Sequence, residues 1–347
     1  MMRQTPKPLS WIWKLVRTGA ILLILIPVLE YLVIPRLTGA QKSLHLLAKV
    51  NFAYVAIGVM LEIAALIAYA LLTKSLLPHS KFPSLFKIFR INLSTLSLSH
   101  ILPGGTASGT ALGYRLLTSQ NVTGANATFC LATSGIGSAV VLNVILWLSL
   151  IISIPFRSVN NPLYAGAAII GSLLLGLFAL LIFLLTKGED HVATFFEALF
   201  KRIPFISSEN AVSNLRSIAK SLDDLKSDRE KLVSALVFAS LNWLLDASSL
   251  WIFILAFGKL ISPVDLLVAY GVANVLAAIP ITPGGLGVIE GVLIPTLHGF
   301  GAPSNVALLA VLSYRLVNFW IPIPLGGISY LTLRFSKSNY SQVSNQS

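Results

Sequence analysis

Residues 50–73 run for 24 positions with a single charged side chain, Glu62. A helix rises about 1.5 Å per residue, so such a run reaches about 36 Å, more than the ~30 Å hydrocarbon thickness of a bilayer. Backbone in hydrocarbon finds no water, so its amides and carbonyls must pair within a helix or around a closed barrel. The ten-residue alternation of a barrel is absent from the sequence, which leaves helices. Further apolar segments fall at about 15–35, 124–155, 162–186, 231–257, 263–280, 286–299 and 303–333. Only 11% of the residues are charged, where soluble domains carry about 25%. The chain therefore reads as an all-α polytopic membrane protein, one integral domain over 1–335 with a polar tail at 336–347.

The net charge of +12 does not point to nucleic acid. Eight of the 13 acidic residues lie between 189 and 230, and the other five (Glu30, Glu62, Asp246, Asp265, Glu290) lie in or beside apolar segments. The basic excess sits in loops that flank those segments, as the positive-inside bias predicts. The long polar loop 187–230 reads as a solvated cytoplasmic linker. Arg3, Lys7, Lys14 and Arg17 precede an apolar run longer than a signal-peptide core, so the first segment reads as an uncleaved helix. Cys130, the only cysteine, excludes an internal disulfide, and five scattered histidines show no ligand spacing. No metal or cofactor is expected.

Two breaks interrupt this pattern. "ILPGG" at 101–105 and "ITPGG" at 281–285 lie 180 residues apart in otherwise apolar sequence. Pro103 and Pro283 each remove a backbone donor and disturb the carbonyls before them. Freed carbonyls in hydrocarbon need partners, so each break must be buried in protein or line a wet cavity. If the N-terminus is cytoplasmic and each broken element enters and returns on one face, three crossings separate the breaks. They then enter from opposite faces, the pattern of an inverted repeat with a site near the midplane. The expected architecture is about six full spans plus two re-entrant pairs, with repeat halves at about 50–155 and 231–333 and both termini cytoplasmic. Helix N-termini at 104–106 and 284–286 would offer free amides suited to a phosphate. Gly105, Gly109 and Gly113, and likewise Gly287 and Gly291, have the four-residue spacing of close helix packing.

Ionisable residues inside a membrane cost ~2.5–3.5 kcal/mol each on insertion scales and call for a partner or a task. Glu290 lies seven residues past Pro283 and faces the expected cavity, or else pairs with Arg315 or caps backbone. Arg315 suits a lipid phosphate as a bidentate donor, or else neutralises Glu290. Arg115 ends the first half-helix and reads as a headgroup ligand or a snorkelling side chain. Asp246, with Asn242 and Trp243, forms a polar stripe that either binds substrate or bonds between helices. Glu62 is a weaker candidate. With Pro103, Gly104, Gly105, Pro283, Gly284 and Gly285, the residues Glu290, Arg315, Arg115 and Asp246 make up the expected substrate-binding set.

"TPGGLGVIEG" at 282–291, "LPGGTASGTALGYRLL" at 102–117 and "SYRLVNFWIPIPLGGISYL" at 313–331 together resemble the flippase-like membrane region of lysylphosphatidylglycerol synthases, over roughly 15–335. The first motif is looser: small residues follow its PGG where other members carry an acid, and Thr110 stands opposite Glu290. In the synthases this region moves aminoacylated phosphatidylglycerol between leaflets, and a separate soluble domain makes that lipid. The chain ends about 15 residues after its last helix, so the resemblance implies translocation rather than synthesis, with membrane lipids as partners and the substrate open. "GGTASGT" lacks the lysine of a phosphate-binding loop. The alternatives are a polyprenyl-phosphate-dependent membrane transferase, for which no paired-acid cluster appears in the segments, and a non-catalytic accessory subunit of an envelope lipid system. Homo-oligomerisation stays open.

Overall fold

Every regular element that the computed structural model describes is helical, and it describes residues 50–77, 83–102, 105–153, 169, 172–173, 176, 228–278 and 282–344. The apolar stretch at 15–35, most of that at 162–186, nearly all of the loop 187–230, and Pro103 and Gly104 lie outside these residues. In chain order the helices are α1 (Phe52–Ser75), α2 (Leu85–Ile101), α3 (Gly105–Thr118), α4 (Gly124–Ser153), α5 (Arg229–Ala256), α6 (Pro263–Ala277), a 3₁₀ turn (Pro283–Gly285), α7 (Val288–Gly299), α8 (Ser304–Arg315), a π turn (Leu316–Trp320) and α9 (Pro322–Ser344).

Four helical stretches among the described residues are long and apolar enough to cross a membrane: Phe52–Ser75, Gly124–Ser153, Arg229–Ala256 and Ser304–Arg334, of 24, 30, 28 and 31 residues. The chain is thus a multi-pass membrane protein. The expected segments at 50–73, 124–155, 231–257 and 303–333 coincide with these four. The last is not uniform, since its hydrogen bonding widens to a π turn just after Arg315. Polar caps set the starts. The Asn51 side chain accepts from Ala53 N at 3.0 Å, and Asp228 accepts from Lys231 N at 3.1 Å, each satisfying an otherwise orphan amide.

The spans turn large apolar side chains outward: Phe52, Ile57, Met60 and Ile63 on α1, Leu148, Ile151 and Ile152 on α4, Leu325, Ile328 and Leu331 on α9. Lipid tails are as apolar as these groups, so exposing them there costs nothing, and helix association depends on close packing and polar contacts. Between α1 and α5, a Cβ on Gly58 would lie 3.0 Å from Phe253. Ser249 donates to the Gly58 carbonyl at 2.9 Å and Asn242 to that of Ala65 at 3.0 Å. Trp243 turns instead to the Ser138 carbonyl of α4 at 2.8 Å. Of the expected polar stripe on α5, Asn242 and Trp243 therefore bond between helices.

The first break folds α3 back along α2. A Cβ on Gly105 would lie 2.6 Å from the Ser99 carbonyl oxygen, one on Gly109 2.8 Å from that of Thr95, and one on Gly113 3.1 Å from Thr95 Cγ2. The contact partner moves backwards along α2 as α3 advances, which is an antiparallel hairpin with glycines as its seam. The matching expectation for the second break is corrected. Gly287 takes φ 82° and ends the turn, while the position of Gly291 opens on empty space. Gly287 serves the turn before α7, and Gly291, inside α7, makes no close packing contact. α7 then lies against α6, and the 3₁₀ turn touches α2, α3 and α6.

Candidate functional site

The two breaks meet. A Cβ built on Gly105 would lie 3.6 Å from the amide nitrogen of Gly284. Gly284 has φ 55° and ψ 25°, a left-handed conformation that costs an L side chain energy and glycine nothing. Room is lacking as well, since a Cβ there would lie 2.5 Å from Phe319 and 2.8 Å from His100. His100, in the last turn of α2, stacks on Phe319 with ring centroids 4.3 Å apart, and its Nδ1 lies 3.2 Å from the Phe319 carbonyl oxygen. One aromatic layer therefore joins the end of α2, the second break and the π turn.

From this contact a chain of polar side chains runs inward. Gly287 N donates to Glu290 Oε2 at 2.7 Å, so the carboxylate caps its own helix. Glu290 Oε1 pairs with Arg315 Nε at 2.5 Å. The Arg315 guanidinium lies over the Phe319 ring, 4.4 Å from its centroid, and its other nitrogens reach the Gly284 carbonyl and Asn318 Oδ1, each at 3.4 Å. The amide nitrogen of Asn318 donates to Glu62 Oε1 at 3.0 Å and to Asp246 Oδ1 at 3.1 Å. Asp246 also accepts from the Tyr270 hydroxyl at 2.5 Å and the Tyr314 hydroxyl at 2.8 Å. Six elements contribute: α1, α5, α6, α7, α8 and the π turn. Asn318 and Phe319, three and four residues after Arg315, lie in the π turn, an element often found at functional positions.

The inner part of the network is buried, while Glu290 and Asn318 keep some exposure. Arg315 is 2% exposed, Glu62 3% and Asp246 7%. Burying ions this deeply costs several kcal/mol each unless charge and hydrogen bonds compensate, and nearly every polar atom here has a partner. Of the expected set, Glu290, Arg315, Asp246 and Gly284 come together, with Gly105 against Gly284. Pro283 opens the 3₁₀ turn, and Gly285 is buried against Ala277. Arg115 is not part of it. It lies exposed near the end of α3, lining a hollow of about 200 Å³ with Arg334, Ser119, Gln120 and Tyr330.

One expectation is corrected. The helix after the second break starts at Val288 rather than at 284–286, because three glycines with positive φ, Gly284, Gly285 and Gly287, and the extended Leu286 between the last two delay it. Of the amides at this end, that of Gly287 is taken by Glu290 Oε2. His100 and Phe319 pack around Gly284 where the described parts of the breaks meet. Sequence reasoning missed Asn318, Tyr270, Tyr314 and His100. These are neutral polar groups whose roles depend on partners as far away in sequence as Glu62 is from Asn318. The "SYRLVNFW" string contains Tyr314 and Asn318; Tyr270 and His100 have no such signal.

Comparison with known proteins gives the same picture. The family model described as "Lysylphosphatidylglycerol synthase TM region" matches residues 14–326. A "UPF0104 membrane protein" of Methanocaldococcus jannaschii is 24% identical over 326 residues, covering 91% of this chain and 96% of the relative. One from Pyrococcus horikoshii is 19% identical over 324 residues, covering 90% and 97%. "Inner membrane protein YbhN" of Escherichia coli is 28% identical over a shorter stretch of 101 residues, 29% of this chain and 31% of that one.

Proposed function

The chain belongs to the family defined by the transmembrane region of lysylphosphatidylglycerol synthases, and from that premise we propose that it is a lipid translocase. It moves a phospholipid or lipid-linked headgroup across the membrane between the two broken helix pairs, α2–α3 and α6–α7. Both pairs are re-entrant in this reading, and the termini are cytoplasmic. The observation that carries it is the largely buried network of Arg315, Glu290, Asp246 and Glu62 directly behind the point where the breaks meet. A stability role alone gives little reason to bury four ionisable groups, since well-packed apolar residues of similar size often serve as well or better.

The structure fits a closed state. For a headgroup to enter, the aromatic layer of His100 and Phe319 parts from Gly284. Arg315 then exchanges the Gly284 carbonyl, its longer contact, for a lipid phosphate, which its planar fork accepts through two parallel hydrogen bonds. Glu290 keeps the guanidinium aimed. Arg115 and Arg334 line the outer hollow and meet an arriving phosphate first. The acyl tails stay in lipid throughout.

Reconstituted vesicles test this. A fluorescent phospholipid quenched from outside reports movement between leaflets. Movement by the wild type that falls in both Arg315→Ala and Glu290→Gln supports translocation, and unchanged movement in both variants overturns it. Turnover of a lipid-linked sugar by the pure protein would favour the membrane-transferase reading instead.

A further inference from the structure

The carboxyl groups of Asp246 and Glu62 are unequally supplied with hydrogen. Asp246 accepts three bonds, from Tyr270, Tyr314 and Asn318. Glu62 accepts one, from Asn318 on Oε1. Its second oxygen, Oε2, is buried, and no donor among the described residues reaches it. One Asn318 amide nitrogen donates to both groups, at 3.0 Å to Glu62 Oε1 and 3.1 Å to Asp246 Oδ1, so the two carboxyls lie side by side. An ionised Glu62 would set one anion against another and leave a carboxylate oxygen bare in a site 3% exposed, which is among the costliest arrangements a protein interior can hold. A Glu62 that carries its own hydrogen removes both defects, because its O–H supplies the donor that the pair lacks.

The surroundings agree. Three carboxyl groups, Glu62, Asp246 and Glu290, share one guanidinium, Arg315. The groups that face Glu62 are Asp246 from α5, Tyr270 from α6, Tyr314 and Arg315 from α8 with Glu290 of α7 behind them, and Asn318 from the π turn. His100 of α2 lies beyond Phe319. α4 carries no charged residue, and its Cys130 thiol is engaged by the Thr73 carbonyl, about three turns from Glu62 on α1. Asp246 and Glu290 already outnumber Arg315, and no described cation near Glu62 compensates a third negative charge. A metal ion fits the donor set poorly. Asn318 Oδ1 is turned to Arg315, so its NH₂ faces the carboxyls, and among the described residues no group of three or more His, Cys, Asp or Glu is placed to hold one.

We propose that Glu62 is a proton-binding site and that its loading is coupled to headgroup movement. When the site opens, the Glu62 carboxylate takes a proton from hydronium and releases water, forming the O–H that bonds to Asp246. On opening to the other side the proton returns to water. Loading reaches Arg315 through Asn318, which bonds to Glu62, Asp246 and the guanidinium at once. With Glu62 loaded, Asn318 has one anion to satisfy and stays on Arg315. With Glu62 emptied, the second anion draws the Asn318 amide and Arg315 inward, away from an incoming phosphate. The coupling rests on the translocase reading, whereas the proton site does not.

Two readouts on the full-length reconstituted protein separate these. Infrared difference spectra against pH report the carbonyl stretch of a protonated carboxyl. The expected result is a band that titrates in the wild type, is absent in Glu62→Gln and persists, shifted, in Glu62→Asp. A band unchanged in Glu62→Gln, or one that never titrates while the protein stays folded, overturns the proton site. Lipid movement is then measured against pH. The wild-type rate should change by up to about tenfold per pH unit, the limit for one proton, while Glu62→Gln, neutral at every pH, should show a flat profile. Equal profiles overturn the coupling. A titrating band with no lipid movement by the wild type leaves the proton site standing and removes the translocase.

Discussion

Arg315 and Glu290 meet at 2.5 Å between α8 and α7, with their side chains 3% and 15% exposed. The pair also organises backbone, because the guanidinium reaches the Gly284 carbonyl and the carboxylate caps Gly287. Removing the arginine leaves a buried anion without a counter-charge. Arg315→Ala should therefore lower stability by about 3–5 kcal/mol. Glu290→Gln, which keeps an oxygen for the cap, should cost less, about 1–3 kcal/mol. Thermal or denaturant unfolding in detergent checks the order, and a Glu290→Gln loss equal to that of Arg315→Ala would count against it.

The glycines of the second motif should separate sharply on substitution. Gly284→Ala forces an alanine into left-handed backbone against Phe319 and His100, so a loss of at least about 1–3 kcal/mol follows from the conformation alone. Gly291 lies inside α7 with open space at its Cβ, so Gly291→Ala should be stabilising by up to about 1 kcal/mol. Melting temperatures of the two variants, measured side by side, settle the contrast.

Asp246 receives both tyrosine hydroxyls. Tyr270→Phe and Tyr314→Phe should each cost about 1.5–3 kcal/mol, the range for hydrogen bonds to a charged group. Because they share one acceptor, the double variant should differ from the sum of the singles by more than about 0.5 kcal/mol. Strict additivity in a double-mutant cycle would mean that the two hydroxyls do not act on one charge.

Arg115 lies away from the buried network. Arg115→Ala should leave stability within about 0.5 kcal/mol, as for other exposed positions. Its effect should fall on capture: movement of an anionic phospholipid slows at low lipid fraction and recovers at high fraction. An unfolding midpoint that drops with Arg115→Ala would place this residue in the structural core instead.

The sequence made the costly features visible. Four spans follow from apolar length, and Glu290, Arg315 and Asp246 stand out because an ion in hydrocarbon needs a reason. The same reasoning brought the Pro-Gly breaks forward, and they meet as Gly105 and Gly284. What stayed hidden has physical causes too. Asn318, Tyr270 and Tyr314 are neutral, cost little in an apolar run and acquire meaning only from partners on other helices. The start of α7 was misplaced because proline marks where a helix stops, while the left-handed glycines that follow decide where the next begins. Arg115 reads in the sequence as a headgroup ligand or a snorkelling side chain, and α3, which runs back along α2, carries it away from the junction.

The central claim is that a lipid headgroup passes the junction of the two breaks. Photo-crosslinking with a phospholipid carrying a diazirine on its headgroup, followed by peptide mapping, tests it most directly. The account predicts label on peptides containing 283–290 and 315–319, reduced by unlabelled lipid and lost in Arg315→Gln. Label confined to outward-facing residues such as Leu148, Ile151, Leu325 and Ile328, and unaffected by Arg315→Gln, would contradict it.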